Sequence, residues 1–362
     1  MSFRLCSQIS LGKYAFKAGV NHVKIHRSVK EIVDTATIKI PAVGRVNNVY
    51  SAISQAASIL GFNLPRGKTG NLPESSIETS TMWTEGDKVT IQLGYNGDYR
   101  QEFKGFVRRV KPSIPVEIEC EGYAWQLRRK AVNGAWKSIK LKEFLKILID
   151  GTDISLSPYI PDLTLTNISL AKNPNGLTAL EYLHQHCHLA VYFQFDVLYV
   201  GIEEAIPGDT VKYRMGWNVP RTNTMNYRVA DDTKVMVRLV AAKGKNAKRP
   251  VVERGDAGGS IITENISNIA DPGNLNDIAD QLYTYASFTG MEGYLDTFLQ
   301  PYCKPCDTAQ LIDKEYNVVT GSYFVEGVEV TFGMDGARRK VHLGPALGTP
   351  NFIGLQEKYS NY

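Results

Sequence analysis

Apolar and polar residues alternate along two similar stretches of the chain, residues 85–123 and residues 303–344. In each stretch an Asp (Asp87 or Asp307) precedes a first alternating run. A turn, a second run with an internal Gly, another turn and a last run follow. Period-two alternation interrupted by Gly and Asp is typical of antiparallel strands with one buried face. Each stretch therefore predicts a three-stranded meander.

The similarity between the two stretches continues upstream. The matching segments are the alternating residues 23–27 and 225–229, residues 34–40 and 232–239, and the helix-like residues 48–61 and 274–288. Two units with the same order of strands, helix and meander indicate an internal duplication. We expect the units to superpose strand for strand, with Asp87 equivalent to Asp307 and Gly105 equivalent to Gly321 as structural motif residues.

The chain between the two units changes to helical periodicity. Ser138 is placed to cap a helix that ends at Gly151, and residues 173–176 open a second helix that reaches Cys187. Two apolar runs split at Asp196 predict a hairpin. The predicted fold is mainly β with α+β: two similar small β-barrels and an intervening α/β domain. The predicted division is a first barrel over 1–129, the α/β domain over 130–206, a second barrel over 207–345 and a tail over 346–362.

Two further features of the second unit are predicted. Residues 243–260 contain five Lys or Arg residues and several Gly, which favours a mobile inserted loop. Asn274 is placed to cap the helix that follows.

Composition limits the class of protein. Of 362 residues, 43% are hydrophobic and 22% charged, as in ordinary soluble globular proteins. The net charge of +4 is too mild to argue for a dedicated nucleic-acid surface. No apolar run approaches the ~20 residues needed to span a bilayer, and the first residues do not resemble a secretory signal. Five Cys do not make a disulfide framework and indicate assembly in a reducing cytoplasm.

His184 and His188 are the strongest candidates for a metal site. At i and i+4 on a helix they share one face, which is the spacing of helical zinc sites. No Glu stands beside His184 in the zincin arrangement, and spacing places no third ligand. A helix C-terminus, where the helix dipole favours His, is the preferred interpretation. We therefore predict neither a metal nor a cofactor.

Other candidate chemistry is weaker still. Cys303 and Cys306 lack a second pair for zinc and a helix for redox chemistry. The glycines at 255–259 lack the strand, helix and Lys of a phosphate loop. Spacing predicts no paired carboxylates, so a glycosidase cannot be argued. We expect no catalytic residue.

Three basic clusters lie in or beside the predicted strands. They are residues 108–111, 128–130 and 338–340. Each is more typical of a solvated face than of a DNA contact.

The order of elements resembles the baseplate hub proteins of contractile tails: the Mu-like tail protein, the late control protein D family and the base of type VI secretion spikes. The segments that carry the resemblance, over residues 3–345, are 33–38, 86–89 through Gly105, and 306–307 through 321–325. The last resembles the closing meander of the family. Cys306 departs from the pattern, because the family more often has Gly there.

The resemblance implies a structural, non-enzymatic hub in the virion tail baseplate. It implies a homotrimer whose six similar barrels meet a hexameric tail tube, while its three-fold symmetry meets a trimeric central spike. Other baseplate proteins are implied partners, and DNA or an effector protein could pass through the channel.

Two other classes of function stay open from the sequence. A nucleic-acid- or carbohydrate-binding barrel would need exposed aromatics beside basic strands, for which Tyr95, Tyr99 and Phe103 near Arg100 are the candidates. A β-rich hydrolase would need a catalytic site that the sequence does not reveal.

Overall fold

A computed structural model describes residues 4–16, 20–41, 43–45, 76–170, 174–201, 207–220, 224–229, 234–241, 249–315 and 320–347. The early strands are β1 (Leu5–Leu11), β2 (Tyr14–Phe16), β3 (His22–Ser28), β4 (Thr35–Ile40), β5 (Val43–Arg45), β6 (Ser76–Glu78), β7 (Lys88–Tyr95), β8 (Asp98–Lys111) and β9 (Val116–Glu121). The middle elements are α1 (Ala124–Arg128), β10 (Gly134–Lys140), α2 (Leu141–Ile149), β11 (Ser155–Leu156), β12 (Thr164–Leu170), α3 (Gly176–Cys187), β13 (Ala190–Gln194) and β14 (Val197–Gly201). The late elements are β15 (Thr210–Arg214), β16 (Met225–Arg228), β17 (Val235–Ala241), β18 (Val251–Gly255), β19 (Ser260–Ile266), α4 (Pro272–Ala286), β20 (Gly290–Thr297), β21 (Thr308–Ile312), β22 (Gly321–Gly333) and β23 (Gly336–Leu347).

Thirteen strands form one continuous sheet. Its main path is β16-β20-β23-β22-β3-β4-β9-β8-β7-β1-β2, with β21 also beside β22 and β15 beside β21. The mainly β class is confirmed, but the two halves are not separate barrels. Strand β22 is long enough to pair with β21 at its start and with β3 at its end, so its edge joins the halves. No closed barrel is formed by the strands of the described ranges.

Each half of the sheet has its own apolar core. Alternate residues of β1, β3, β4, β7, β8 and β9 point into the first core, for example Ile25, Ile91 and Ile118, each fully buried. The second core draws on β15, β20, β21, β22 and β23, for example Leu311 and Val341. Burial of alternate residues is what the period-two pattern predicts for strands that cover one core.

A third core lies under the helices. Residues of α1, α2 and α3 pack with the sheets β10-β12 and β11-β14-β13, as the α/β interpretation expects. The same core also contains residues of α4 and of the sheet β18-β17-β19, such as Ile278 and Val237. The division of the chain at 129, 206 and 345 stays a prediction. The third core nevertheless draws on two separate parts of the chain.

Three predicted boundaries are wrong. Ser138 does not cap α2, which begins at Leu141 after Lys140, because residues 134–140 pair with β12 as a strand. The cap of α4 is Asp271, whose carboxylate accepts a hydrogen bond from the Asn274 backbone N–H at 3.0 Å, and Pro272 occupies the first turn. Within the predicted loop 243–260, residues 251–255 form β18 and pair with β17.

Some predicted segments lie outside the described residues. These are the helix at 48–61, residues 243–248 and the tail from 348 onward. Within the described ranges, no helix is long and apolar enough to cross a bilayer.

Candidate functional site

The two halves of the sheet repeat one arrangement of six strands. The first unit is β1-β7-β8-β9-β4-β3 in space, and the second unit is β15-β21-β22-β23-β20-β16. If the six strands of each unit are numbered 1 to 6 in the order in which they occur along the chain, their order across the sheet is 1-4-5-6-3-2 in both units. One pairing differs, because β1 runs antiparallel to β7 whereas β15 runs parallel to β21. This six-strand unit, which occurs twice in the chain, is the candidate functional feature of the molecule.

The hydrogen-bond ladders align the units residue by residue. The Val107 backbone N–H donates to the Asp87 carbonyl at 2.8 Å, and the Val325 N–H donates to the Asp307 carbonyl at 2.9 Å. A β-bulge follows each Val at the same distance along the strand, between Val107 and Arg109 and between Val325 and Gly327. A bulge at the same position in both units is specific evidence that the strands correspond, because the extra residue bends the strand and changes the direction of the residues that follow.

Asp87 and Asp307 each close the same turn. The Asp87 carboxylate accepts a hydrogen bond from the Thr84 backbone N–H at 2.9 Å, and the Asp307 carboxylate accepts one from the Lys304 N–H at 2.9 Å. The third residue of each turn has a left-handed backbone, with φ +94 at Gly86 and +74 at Cys306. The departure from Gly at Cys306 therefore keeps the geometry of the turn.

Asp307 lies in a tighter environment than Asp87. Its carboxylate also accepts a hydrogen bond from the Asp209 N–H at 3.0 Å and lies 3.3 Å from the Lys304 ammonium. Burial raises the pKa of Asp307, and the hydrogen bonds and charge of Lys304 oppose that rise. The second turn is thus tied by a hydrogen bond to the segment before β15. The Asp87 carboxylate accepts hydrogen bonds from Thr84 and packs against Gly12 after β1.

The glycine equivalence is displaced by two residues. Gly105 lies opposite Val89, and the residue in that place in the second unit is Tyr323, opposite Ala309. Gly321 lies opposite Leu311 and so corresponds to Phe103. At Gly105 an added Cβ would lie 2.2 Å from the Glu121 carbonyl oxygen, so this glycine permits a close approach between the backbones of β8 and β9.

The upstream equivalence also differs from the expectation. Residues 235–241 form β17, which pairs with β18 and β19 outside the main sheet. The counterpart of β4 is β20, because β20 lies between β16 and β23 as β4 lies between β3 and β9. The segment between β16 and β20, with α4, is therefore an insertion. This insertion separates the counterparts of β3 and β4, whereas residues 48–61, where a helix was predicted, come after β4 in the chain.

A buried ion pair crosses from one unit to the other. The Arg339 guanidinium on β23 contacts the Glu102 carboxylate on β8 at 2.6 and 3.2 Å and also donates to the Cys303 carbonyl at 2.8 Å. The Glu102 and Arg339 side chains are 2% and 0% exposed. Burial raises the pKa of Glu102, and the Arg339 charge opposes that rise.

A second buried pair, Arg27 with Asp34, lies inside the first unit. The Arg27 Nε donates to the Asp34 carboxylate at 3.2 Å, and the guanidinium lies 4.1 Å from the centre of the Phe195 ring. Burial raises the pKa of Asp34 to about 6, although Arg27 opposes the rise.

Neither buried pair was predicted from the sequence. The alternation of β23 could have indicated that Arg339 is buried. Arg339 is separated by an even number of positions from Ala337, Val341 and Leu343, so it shares their inward-facing side of the strand. A charged residue at an inward position needs a buried partner.

Two exposed aromatic side chains, Trp217 and Phe298, lie at the junction of the units. A cleft of about 740 Å³ is lined there by Leu5, Tyr95, Trp217, Phe298 and Ala337, among others. Trp217 is 76% exposed. Tyr95 faces this cleft, but Phe103 is fully buried and cannot serve as an exposed stacking platform.

The predicted His cluster is divided among separate contacts. A His184 ring nitrogen lies 2.9 Å from the Leu189 carbonyl oxygen, and His188 forms the left-handed end of α3, 3.6 Å from the Glu264 carboxylate. His186 lies against the Tyr182 ring. In the described part of the chain, no group of three or more His, Cys, Asp or Glu side chains is placed to hold a metal ion.

The two cysteines of the second turn are buried. The Cys306 thiol lies 3.3 Å from the Tyr192 hydroxyl, and burial raises the pKa of Cys303 to about 12. Burial and the raised pKa both disfavour the reactive thiolate.

The basic clusters are mostly paired within the chain. Arg109 makes a bidentate contact with Glu119, Lys111 lies 2.8 Å from Glu117, and Arg128 lies 3.0 Å from Glu121. Arg339 is buried. Cations that already hold carboxylates are poorly suited to bind phosphates, which weakens the nucleic-acid alternative.

Comparison with known proteins reveals the fold, although neither a protein-family model nor a curated protein sequence matches the chain. The tail protein from Neisseria meningitidis MC58 aligns with a TM-score of 0.63 at 12% identity, over 94% of this chain and 96% of that protein. The 43 kDa tail protein of prophage MuSo2 from Shewanella oneidensis gives 0.57 at 11% identity, over 94% and 98%.

A third solved structure extends the similarity to secretion machines. The E. coli c3393 protein, described as a component of the type VI secretion system similar to the T4 bacteriophage tail proteins gp27 and gp5, gives a TM-score of 0.51. Its identity is 10%, over 95% of this chain and 78% of that one. The expected resemblance is confirmed at the level of fold: the chain is built like phage tail proteins and a type VI secretion component.

Proposed function

We propose that this protein is a structural hub of a contractile phage tail or a related injection machine. In this role three copies form a ring in which six similar units surround a channel. The observation that carries the proposal is the repetition of one six-strand order in both halves of the chain. A trimer of a duplicated unit presents near six-fold symmetry to a hexameric tube and three-fold symmetry to a trimeric spike.

The proposed partners follow from that symmetry. One face of the ring meets the tail tube protein, the other meets the central spike, and other baseplate proteins bind the periphery. DNA or an effector protein passes through the channel. The location is the baseplate of the virion tail, after assembly in the cytoplasm of the host bacterium. The role requires no catalytic residue, metal or cofactor.

The ring is tested by the mass of the purified protein. Light scattering over a concentration series reaching tens of micromolar, about the range of weak complexes, should give three times the mass of the chain. Negative-stain images of the same sample should show rings with six similar lobes around a hole. A strict monomer at every concentration would contradict the proposal.

A further inference from the structure

The join between the two units shows how such units connect edge to edge. Beyond its bulge, β22 pairs antiparallel with β3 over seven residues, from Gly327 opposite Ser28 to Gly333 opposite His22. The Val29 N–H donates to the Glu326 carbonyl at 2.8 Å and extends the ladder. Strand β22 thus pairs with β21 of its own unit before the bulge and with β3 of the other unit after it.

Strand β8 has the same bulge but an open edge beyond it. Its pairing with β7 ends at Phe106, and residues 109–111 pair with β9 on the other side. Among the described strands, none pairs with the outer edge of residues 109–111. Since β8 corresponds to β22, this edge is the place where a β3-like strand would add.

The counterpart of β3 is β16, and its outer edge is also open. Strand β16 pairs with β20 on one side and ends the sheet of the described strands. The Tyr294 N–H donates to the Thr224 carbonyl at 3.3 Å, so the antiparallel alternation turns the N–H and C=O of Tyr227 toward the outer edge. The Tyr227 side chain is 46% exposed.

The residues of both open edges can be matched to residues of the pairing between β22 and β3. Cys120 lies opposite Val107 as Leu343 lies opposite Val325, so Cys120 and Leu343 correspond. Following the ladders outward, Cys120 leads through Ala36 to Ile25, and Leu343 leads through Gly293 to Met225. Ile25 therefore corresponds to Met225, and two residues on, Arg27 corresponds to Tyr227.

We infer that the outer edge of β8 in one protomer pairs antiparallel with β16 of a second copy of this chain, with Val110 opposite Tyr227 and Lys111 opposite Asn226. The inference rests on the proposed ring and identifies the seam between its protomers. The register copies Val328 opposite Arg27 and Glu329 opposite His26. In this register the main-chain groups of Val110 and Tyr227 hydrogen-bond to each other.

The lengths of the two edges match. Strand β22 extends seven residues from Gly327 and meets the seven residues of β3. Strand β8 ends three residues after its bulge, before Pro112, and β16 has four residues. At the seam the short outer edge of β8 therefore meets the short strand β16. Within the chain the long edge of β22 meets the long strand β3.

The charges at the seam are compensated before it forms. Arg109 and Lys111 lie on the β8 edge, and both contact carboxylates of β9. Arg228 on β16 donates to the Ala286 carbonyl and lies 4.0 Å from Glu292. The contact is head to tail, and such contacts close into a ring when the rotation between units is right. It also covers two open strand edges, which would otherwise invite non-specific pairing.

Disulfide trapping tests the register of the seam. Lys111→Cys with Asn226→Cys places one Cys on each edge, at a pair of the non-hydrogen-bonded kind, where Cα atoms lie about 4.5 Å apart. All variants also carry Cys6→Ser, since the other four Cys are buried and Cys6 is half-exposed. After mild oxidation, a non-reducing denaturing gel should show loss of the monomer band to two-chain and three-chain species.

Two control pairs come from the chain itself. His26→Cys with Glu329→Cys places the same kind of pair in the internal join and should form a disulfide within one chain, without a change in mass. Lys111→Cys with Thr224→Cys moves one partner two residues, about 7 Å along the strand, and should leave the monomer band in place. A scattering mass of a trimer without trapping of the 111–226 pair would overturn the seam and leave the hub proposal standing. A monomer by scattering would overturn both.

A backbone variant gives an independent check. Tyr227→Pro removes the N–H that the seam needs without removing a bond to β20, whereas Tyr227→Phe keeps it. The Pro variant should be a folded monomer by scattering and circular dichroism, and the Phe variant should be a trimer. A stable trimer of Tyr227→Pro would overturn the seam.

Discussion

Glu102 and Arg339 lie 237 positions apart in the chain, yet their side chains form a buried two-pronged ion pair that fastens β8 of the first unit to β23 of the second. Both side chains are shielded from water, so each charge is stabilised chiefly by the other. Together with the ladder between β22 and β3, it makes the two units one body.

Glu102→Gln should destabilise the chain by about 3–5 kcal/mol, because it leaves the Arg339 charge buried without its carboxylate. Glu102→Met with Arg339→Met should lose less than the Gln variant, since no charge then stays buried. Urea unfolding of the three proteins at pH 7 measures the difference. If the Gln variant were as stable as the parent, the pair would not be buried as described.

The two Asp turns offer a matched pair of substitutions. Asp307→Ala should cost about 2–3 kcal/mol, because its carboxylate accepts hydrogen bonds from two backbone N–H groups and contacts Lys304. Asp87→Ala should cost about 1 kcal/mol, since its carboxylate accepts hydrogen bonds from Thr84 and the residue is only half-buried. Urea unfolding of both variants compares them, and an equal loss would contradict the difference in environment.

The duplication could be predicted from the sequence because its signals are local. An Asp closing a turn and an alternating run after it depend on neighbours in the chain, and both recur around Asp87 and Asp307. Strand partners are not local. Residues 235–241 alternate as well as residues 290–297 do, so the pattern could not show that β20, and not β17, takes the place of β4.

The candidate site was predictable only in part for the same reason. Gly105 and Gly321 were matched as glycines within similar runs. The register of a strand is set by its ladder, however, and the ladders make Tyr323, not Gly321, the equivalent of Gly105. The seam between β8 and β16 depends on both ladders and on the bulge. No periodicity in the sequence reports these features.

The glycine of the first turn can be tested against a glycine that is equally strained but uncrowded. Gly97 has φ +90 and no atom within 4 Å of an added Cβ, so Gly97→Ala should cost about 1–2 kcal/mol from backbone strain alone. At Gly86 the added Cβ would lie 3.0 Å from the Trp125 ring. That ring is held between Phe106 and Arg129.

Gly86→Ala should therefore cost about 1–3 kcal/mol more than Gly97→Ala, because overpacking adds to the strain. Thermal unfolding followed by circular dichroism compares the two variants. The summed fluorescence of the four Trp residues, one of which is Trp125, should change only in Gly86→Ala. Equal losses would mean that Trp125 moves aside at no cost.

Asp34 gives a prediction about pH. The Asp34 side chain is 6% exposed, and burial raises its pKa from 3.8 to about 6 even though the Arg27 charge opposes the rise. A carboxyl with a raised pKa holds its proton longer in the folded chain than in the unfolded chain. Its contribution to stability is therefore complete below pH 4 and is lost as the pH rises through about 6.

Asp34→Asn, which cannot ionise, isolates that contribution. Other buried carboxyls such as Glu102 and Glu326 titrate in both proteins, so they cancel in the difference. The free energy of unfolding of the parent relative to Asp34→Asn should fall by about 3 kcal/mol between pH 4 and pH 7, as a shift of about two pKa units requires. Urea unfolding at half-unit pH steps measures this. A difference that grows with pH would mean that the Arg27 charge outweighs burial and that Asp34 is ionised throughout.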